Sequence, residues 1–318
     1  MSQIKILAND GIDPIGKKLL EQAGFIVDTQ NIPQQDLAVR LNEYDGITVR
    51  SATKVRKELI DACPNLKLIG RGGVGMDNID VEYAKNKGLA VVNTPASSSL
   101  SVAELVFAHL FTGVRFLQDA NRRMPNEGAT QFNELKKAYA KGIELRGKKI
   151  GIIGFGRIGR ETAKLALGLG MEVLAFDLFG CPNELEVTFA ADITVKFPIQ
   201  VVNLDDLIKN SDFISLHVPF AEKPVLGVAE FEAMKKGVAI VNCSRGGTID
   251  EVALLENLDS GKVAFAGLDV FENEPTPRTE LLKHPKISLT PHIGASTNEA
   301  QERIGVELAN LIIDFFKN

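Results

Sequence analysis

Cysteine is scarce in this chain. Its 318 residues include three, Cys63, Cys181 and Cys243. They are odd in number, widely spaced and without a C-x-x-C pair, which argues against structural zinc and for a reducing compartment. Excess basic charge is missing too. Lys and Arg total 36 against 41 Asp and Glu, a net charge of −5, so there is no electrostatic footprint for nucleic acid or an anionic membrane. No apolar run approaches a membrane span, and no signal-peptide pattern precedes the first apolar run at Ile4 to Ala8. No internal repeat or low-complexity tract is present. With 45% hydrophobic and 24% charged residues, the expectation is a cytoplasmic globular protein with room for two domains.

The centre of the chain is Gly151-Ile152-Ile153-Gly154-Phe155-Gly156-Arg157-Ile158-Gly159-Arg160. An apolar strand (Ile150 to Ile153) runs into a glycine turn and then a helix. Gly154, Gly156 and Gly159 give the G-x-G-x-x-G spacing of a tight turn, a close approach to pyrophosphate and close helix–strand packing. The helix N-terminus offers its free N–H groups to phosphate. A second strand, Glu172 to Phe176, ends in Asp177, about twenty residues on, where a ribose-binding acid belongs. A carboxylate there accepts from ribose hydroxyls and repels a 2′-phosphate, favouring NAD over NADP. The bland alternative is a solvated strand-end acid in a ligand-free domain.

Around this unit, short apolar runs alternate with helical patterns. Strands are expected at Ile4 to Ala8, Phe25 to Val27, Gly46 to Val49, Leu66 to Ile69 and Leu89 to Val92, with helices at Ile15 to Ala23 and Val81 to Lys85. That alternation predicts an α/β fold with parallel sheets. Ser101 with Glu104 reads as a capping-box helix start, near the first domain boundary. The polar stretch from Asn121 to Arg146 reads as a protruding loop and helix, with Phe132 and Tyr139 as apolar contacts for a partner subunit. Leu178 to Val202 has no secure assignment. Beyond it, Asp212 to Pro219 is expected as a strand ending in a loop, with further strands at Gly237 to Asn242, Ala264 to Val270 and Lys286 to Thr290, and helices at Asp250 to Leu258 and, at the C-terminus, Glu299 to Phe316.

In open α/β sheets, ligands bind beyond the carboxyl ends of strands. His217, Arg245, Asp269, Glu274 and His292 gather at such ends. Imidazole suits a proton acceptor near neutrality, a carboxylate orients it, and a guanidinium holds a substrate carboxylate and polarises a carbonyl. His292, Glu274 and Arg245 have those chemistries. Each also has a plainer reading, as a turn-capping histidine, a solvated loop charge and a surface arginine respectively. His109, on an apolar helix face, reads as a packing or hydrogen-bonded residue, and Cys243 as backbone rather than thiol chemistry. No metal-ligand set is apparent.

The glycine motif with Asp177, then Asn242-Cys243-Ser244-Arg245-Gly246-Gly247, Gly267-Leu268-Asp269-Val270-Phe271-Glu272-Asn273-Glu274-Pro275 and Pro291-His292-Ile293-Gly294-Ala295-Ser296-Thr297, together resemble the D-2-hydroxyacid dehydrogenase family over essentially the whole chain. The resemblance implies two Rossmann-like, doubly wound domains, with an NAD-binding domain (98–288) inserted into a flavodoxin-like substrate domain (1–97 with 289–318). It implies Arg245 as substrate-binding, Glu274 as the partner of the histidine and His292 as proton donor and acceptor. Cofactor contacts are implied at Gly154, Gly156, Arg157, Ile158, Gly159, Asp177, His217, Val218, Pro219, Cys243, Ser244, Arg245, Asp269, His292, Gly294 and Ala295, and a homodimer through the Asn121 to Arg146 region.

Within the family, Val49-Arg50-Ser51-Ala52-Thr53-Lys54-Val55 and Gly70-Arg71-Gly72-Gly73-Val74-Gly75-Met76-Asp77-Asn78 resemble the branch that oxidises D-3-phosphoglycerate to 3-phosphohydroxypyruvate, on the way to serine. Amides near Gly73 and Val74 can cradle a carboxylate. Arg50 and Arg71, with Ser51, suit a phosphate, which takes paired N–H donors. The plain alternative makes both arginines surface salt-bridge residues. The chain ends at Asn318, so the C-terminal regulatory domains of long relatives are expected to be absent. Two rival functions are reduction of another 2-keto acid, such as glyoxylate or hydroxypyruvate, and NAD sensing by a corepressor-type binding protein.

Overall fold

The computed structural model of the chain describes residues 3–189, 192–220 and 222–317. The backbone divides into two compact units, 1–101 with 295–318, and 102–294.

The first unit carries strands β1 (Lys5–Ala8), β2 (Ile26–Asp28), β3 (Gly46–Val49), β4 (Leu68–Arg71) and β5 (Ala90–Asn93). All pair in parallel, in the order β2-β1-β3-β4-β5, the flavodoxin-like order with its switch point between β1 and β3. Side chains alternate between two cores. Leu7, Ile47, Val49 and Ile69 face one side, and Ile6, Ala8 and Leu68 the other. Each such fully buried aliphatic side chain contributes roughly 1.5–3 kcal/mol.

The second unit carries β6 (Lys149–Ile153), β7 (Glu172–Phe176), β8 (Glu184–Thr188), β9 (Thr194–Pro198), β10 (Gln200–Val201), β11 (Phe213–Leu216), β12 (Val238–Asn242), β13 (Val263–Leu268) and β14 (Ile287–Leu289). Seven form one parallel sheet, ordered β10-β7-β6-β11-β12-β13-β14, and β8 with β9 forms an antiparallel hairpin. The order reverses between β6 and β11, which makes that crevice the expected ligand site. Helix Ser99–Val114 is apolar because it lies in the core of this unit, with Val102, Val106, Phe107 and Leu110 buried. Among the described residues, no single helix is long and apolar enough to cross a membrane.

Two expectations change. The segment 178–202 forms the β8–β9 hairpin and the edge strand β10, with residues 190 and 191 outside the described residues. The capping-box start at Ser101 is replaced by a helix beginning at Ser99. Ser97, just before it, is tied down by a hydroxyl bond to Glu307 and by Arg303 Nε donating to its carbonyl at 3.0 Å. The units divide at 101/102 and 294/295, where 97/98 and 288/289 had been expected. Residues 292–294 fall in the second unit because their amides bond to Asp269, His292 N to its carbonyl at 2.8 Å and those of Ile293 and Gly294 to its carboxylate.

In the first unit, helix Asn298–Lys317 crosses helix Pro14–Gln22 at two glycines. A Cβ on Gly16 would lie 2.5 Å from the Gly305 carbonyl oxygen, and one on Gly305 would lie 2.7 Å from Asp13 Cβ. Overpacking at such a contact costs about 1–3 kcal/mol. Gly305→Ala is therefore expected to lower the thermal and urea midpoints while leaving low-temperature circular dichroism unchanged. Unaltered midpoints would mean the two helices do not touch this closely.

Candidate active site

At the switch point of the second unit, β6 runs into Gly154, whose φ of +92° suits glycine. A Cβ there would lie 2.4 Å from the His217 carbonyl oxygen, so the turn after β6 rests directly on the end of β11. Gly159 is closer still, since its Cβ would come within 2.1 Å of the Gly154 carbonyl. Gly156 differs. It caps helix Arg157–Gly168 without a side-chain hydrogen bond, and a Cβ there would meet no atom within 4 Å. An uncapped helix N-terminus beside open space is what a pyrophosphate needs.

Asp177, just after β7, accepts from Phe155 N at 2.7 Å and Phe179 N at 2.9 Å. It holds the glycine turn and still has lone pairs for a ribose. His217 Nε2 lies 2.9 Å from Ser215 Oγ, while its buried Nδ1 has no partner among the described residues. Burial pushes this imidazole down to about 3, so it is neutral at pH 7. Val218 packs against the Gly154 position and Pro219 is exposed. These features fit a dinucleotide on the residues expected to hold it.

Beyond β12, Asn242 organises the next turn. Its Oδ1 accepts from Ser244 N at 3.0 Å and Ser244 Oγ at 2.7 Å, and its Nδ2 donates to the Arg245 carbonyl and Thr248 Oγ1, each at 3.0 Å. Arg245 Nη1 donates to the Ser244 carbonyl at 2.6 Å. Burial raises the Cys243 thiol well above its ordinary value, leaving it inert.

The catalytic candidates converge beyond β13 and β14. His292 Nδ1 lies 2.7 Å from Glu274 Oε2, and Glu274 Oε1 accepts from Phe271 N at 3.0 Å. Partial burial pushes the Glu274 carboxyl up. The His292 bond and charge, the Phe271 amide and the Arg245 guanidinium outweigh that, so its net pKa is lowered and it is a carboxylate at neutral pH. His292 has φ +55°, rare outside glycine.

Asp269 makes that backbone possible. It is 1% exposed, and its carboxylate accepts from Thr290 Oγ1 at 2.6 Å, Ile293 N at 2.8 Å and Gly294 N at 2.8 Å. Expected as a cofactor contact, it also anchors the His292 loop. Sequence reasoning missed the anchoring roles of Asn242 and Thr290. The cue was a short polar residue at or just past a strand end, opening a turn.

The remaining candidates lie in the first unit. Arg50 follows β3 and Arg71 ends β4, and the strands pair Val49 with Arg71. Arg50 N donates to Asp10 Oδ2 at 2.7 Å, and its carbonyl accepts from Asn78. Arg71 donates to the Gly72 carbonyl. Gly73 has φ +145°, Val74 is partly exposed with its carbonyl bonded to Asn93, and Ser51 is exposed. Ala295 also belongs to this unit, and Gln301 donates to its carbonyl at 2.6 Å. A cavity of about 250 Å³ at the β1/β3 switch point is lined by Asp10, Gly11, Arg50, Gly72, Gln301 and Ile304, among others.

Comparison with known proteins agrees with this geometry. Residues 107–294 match the family described as D-isomer specific 2-hydroxyacid dehydrogenase, NAD binding domain. The chain is 44% identical to a hydroxypyruvate reductase of Thermotoga maritima over 98% of both chains. It is 38% identical to a D-3-phosphoglycerate dehydrogenase of Sus scrofa over 98% of this chain and 56% of that one, so it spans little more than half the length of that relative. A solved D-lactate dehydrogenase of Aquifex aeolicus, complexed with NAD and lactic acid, matches with a TM-score of 0.78 at 29% identity, over 98% of this chain and 95% of that one.

The three motif glycines predict separable defects. Gly156→Ala fills only open space, so it is expected to keep the parent melting temperature while weakening NADH binding at least about tenfold, or ~1.4 kcal/mol. Gly159→Ala is expected to lower the melting temperature as well. A fluorescence titration showing Gly156→Ala binding NADH as tightly as the parent would refute a pyrophosphate at that position.

Proposed function

We propose a phosphorylated 2-hydroxy acid as the substrate of this chain, which belongs to the D-isomer specific 2-hydroxyacid dehydrogenase family and is an NAD-dependent oxidoreductase. The reaction we assign is oxidation of D-3-phosphoglycerate to 3-phosphohydroxypyruvate. Bound NAD supplies the hydride acceptor. Because Glu274 engages His292 at Nδ1, the ring presents Nε2 to the substrate and takes the C2 hydroxyl proton there as the C2 hydride departs. The Glu274 carboxylate fixes the tautomer and stabilises the imidazolium that forms. Arg245 holds the substrate carboxylate and offsets negative charge on the reacting oxygen. In the reverse direction the same imidazolium returns the proton to the keto oxygen.

One observation carries the phosphate. Among the described residues, the Arg50 guanidinium has no hydrogen bond or ion pair, although it lines the switch-point cavity of the first unit. A guanidinium left unpaired at a place where α/β sheets bind ligands suits an anion. Arg71, on the neighbouring strand end, suits the same phosphate; the Gly73 amide is committed to the Arg71 carbonyl at 2.9 Å, so of the expected pair it is the Val74 amide that suits the carboxylate. A second reading, hydroxypyruvate reduction, is favoured by the Thermotoga maritima relative, which matches over nearly its full length.

We further propose a homodimer through the arm of helices Leu117–Glu127 and Phe132–Ala138. Leu117, Met124 and Phe132 are exposed there, Phe132 at 58%. Tyr139, also expected at a partner, is engaged within the chain by Asp119 and the Phe116 ring. Light scattering should give a dimer for the parent and a monomer for Phe132→Asp combined with Met124→Asp; a dimeric double variant would exclude this surface.

The substrate test compares kcat/KM for 3-phosphohydroxypyruvate, hydroxypyruvate and glyoxylate with NADH. A charged hydrogen bond is worth about 1.5–3 kcal/mol, so Arg50→Gln and Arg71→Gln should each lower kcat/KM for the phosphorylated acid roughly 10- to 100-fold. The values for hydroxypyruvate should stay near the parent's. If both variants keep phosphorylated turnover and plain hydroxypyruvate is the better substrate of the parent, hydroxypyruvate reduction is the function.

A further inference from the structure

His109 is used by nothing described so far, yet it is 2% exposed in the core of the second unit. Its helix, Ser99–Val114, is pressed onto β13 at two places one turn apart. A Cβ on Gly113 would lie 2.3 Å from the Phe265 ring, and a Cβ on Gly267 would lie 2.5 Å from His109 Cβ. The missing side chain at Gly267 leaves room for an imidazole where an aliphatic residue would otherwise pack. His109 Nδ1 lies 2.8 Å from Ser288 Oγ, and Nε2 lies 3.0 Å from Thr290 Oγ1.

The direction of these bonds can be derived. The Thr290 hydroxyl has one proton, and it goes to Asp269 Oδ1 at 2.6 Å. Toward His109, Thr290 can therefore only accept, so the ring proton sits on Nε2. Nδ1 is then the acceptor for Ser288. Burial pushes the imidazole below its ordinary value, against an opposing pull from Asp269, the charged group that acts on it, so the neutral ring this requires is the favoured form. The chain of bonds runs from His109 through Thr290 to Asp269, whose other acceptor positions hold the amides of Ile293 and Gly294 and whose carbonyl holds the amide of His292.

We propose that His109 is a positioning residue for proton transfer, acting through Thr290 and Asp269 to hold the left-handed backbone of His292 in place. It never touches substrate or cofactor. Without its Nε2–H, Thr290 is free to turn, Asp269 Oδ1 shares its bonds differently, and the His292 ring drifts relative to Glu274. Misplacement by about 1 Å can cost up to about a hundredfold in rate. This inference rests on the assignment of His292 as the proton carrier.

The test measures kcat and KM for NADH with whichever of hydroxypyruvate, 3-phosphohydroxypyruvate and glyoxylate the parent reduces fastest. His109→Leu keeps an apolar bulk but loses both polar contacts, and should lower kcat about tenfold or more with the NADH KM within about twofold of the parent. His109→Gln offers one acceptor and one donor, as the ring does, and should restore kcat to within about threefold. Thr290→Val cuts the same chain beyond the ring and should reproduce the His109→Leu split, which keeps the question answerable if His109→Leu does not fold. Parent-like kcat in His109→Leu or Thr290→Val, or a His109→Gln as impaired as His109→Leu, overturns the proposal. His292→Ala separates the two ideas. If it turns over normally, both the proton-carrier assignment and this inference fall; if it is dead while the His109 variants are normal, only this inference falls.

Discussion

The constraint on which the candidate active site depends is the burial of a single carboxylate. Asp269 is almost wholly inside the second unit, and an uncompensated charge there would cost several kcal/mol. It is tolerated because three donors converge on it, two of them backbone amides from the residues just after His292. The dependence runs both ways. A non-glycine residue at positive φ costs about 1–3 kcal/mol, and His292 keeps that conformation because its own amide and the next two are all committed to Asp269. The imidazole is thereby aimed by its backbone before Glu274 touches its ring.

Both sheets place their candidate binding residues by the same topological logic. In each, the strand order reverses once, and the polar or glycine residues of interest stand on either side of that reversal: Gly154 and His217 between β6 and β11, Asp10 and Arg50 between β1 and β3. What differs is how the space is kept. In the second unit it is kept by glycine, because any side chain on Gly154 or Gly159 would strike backbone. In the first, the cavity is lined by Arg50, whose guanidinium has no hydrogen bond or ion pair among the described residues.

Much of this was legible in the sequence. Short runs rich in Val and Ile, bounded by Gly, Asn or Asp, marked the inner strands of both sheets, since strands buried on both faces need continuous apolar residues. The β8–β9 hairpin escaped because it buries only one face. Leu185 and Val187 point in while Glu184 and Glu186 stay outside, too short an alternation to stand out between two prolines. The helix start near Ser101 differs because the segment just before it is held from far along the chain, Ser97 by Glu307 and Arg303, a tie that no local pattern encodes. Among the candidate site residues, side-chain type alone pointed to Arg245, Glu274 and His292, and the structure puts the last two 2.7 Å apart with the Arg245 charge acting on Glu274. The hydrogen bonds of Asn242, Thr290 and His109 were not legible, because they go to backbone or to another side chain, and residue type does not advertise that.

Three aspartates share one architectural use. Asp10 follows β1 and accepts the amides of Arg50 and Thr53, in the loop after the neighbouring β3. Asp177 follows β7 and accepts the Phe155 amide, in the turn after the neighbouring β6. Asp269 follows β13 and accepts the Ile293 and Gly294 amides, in the loop after the neighbouring β14. In each pair, an acid at the carboxyl end of one strand grips the loop that leaves the next. The gripped loops carry the arginine proposed for phosphate, the glycine turn proposed for the dinucleotide, and the imidazole proposed as proton carrier. Amides in loops at a binding face would otherwise be left to water, and a loop hydrogen-bonded only to solvent has no fixed position. A charge-assisted bond to a short side chain rooted in a sheet transfers the rigidity of the sheet to the loop. That explains why Asp177 and Asp269, which look functional in sequence, are holding backbone, and why the reactive groups can be few.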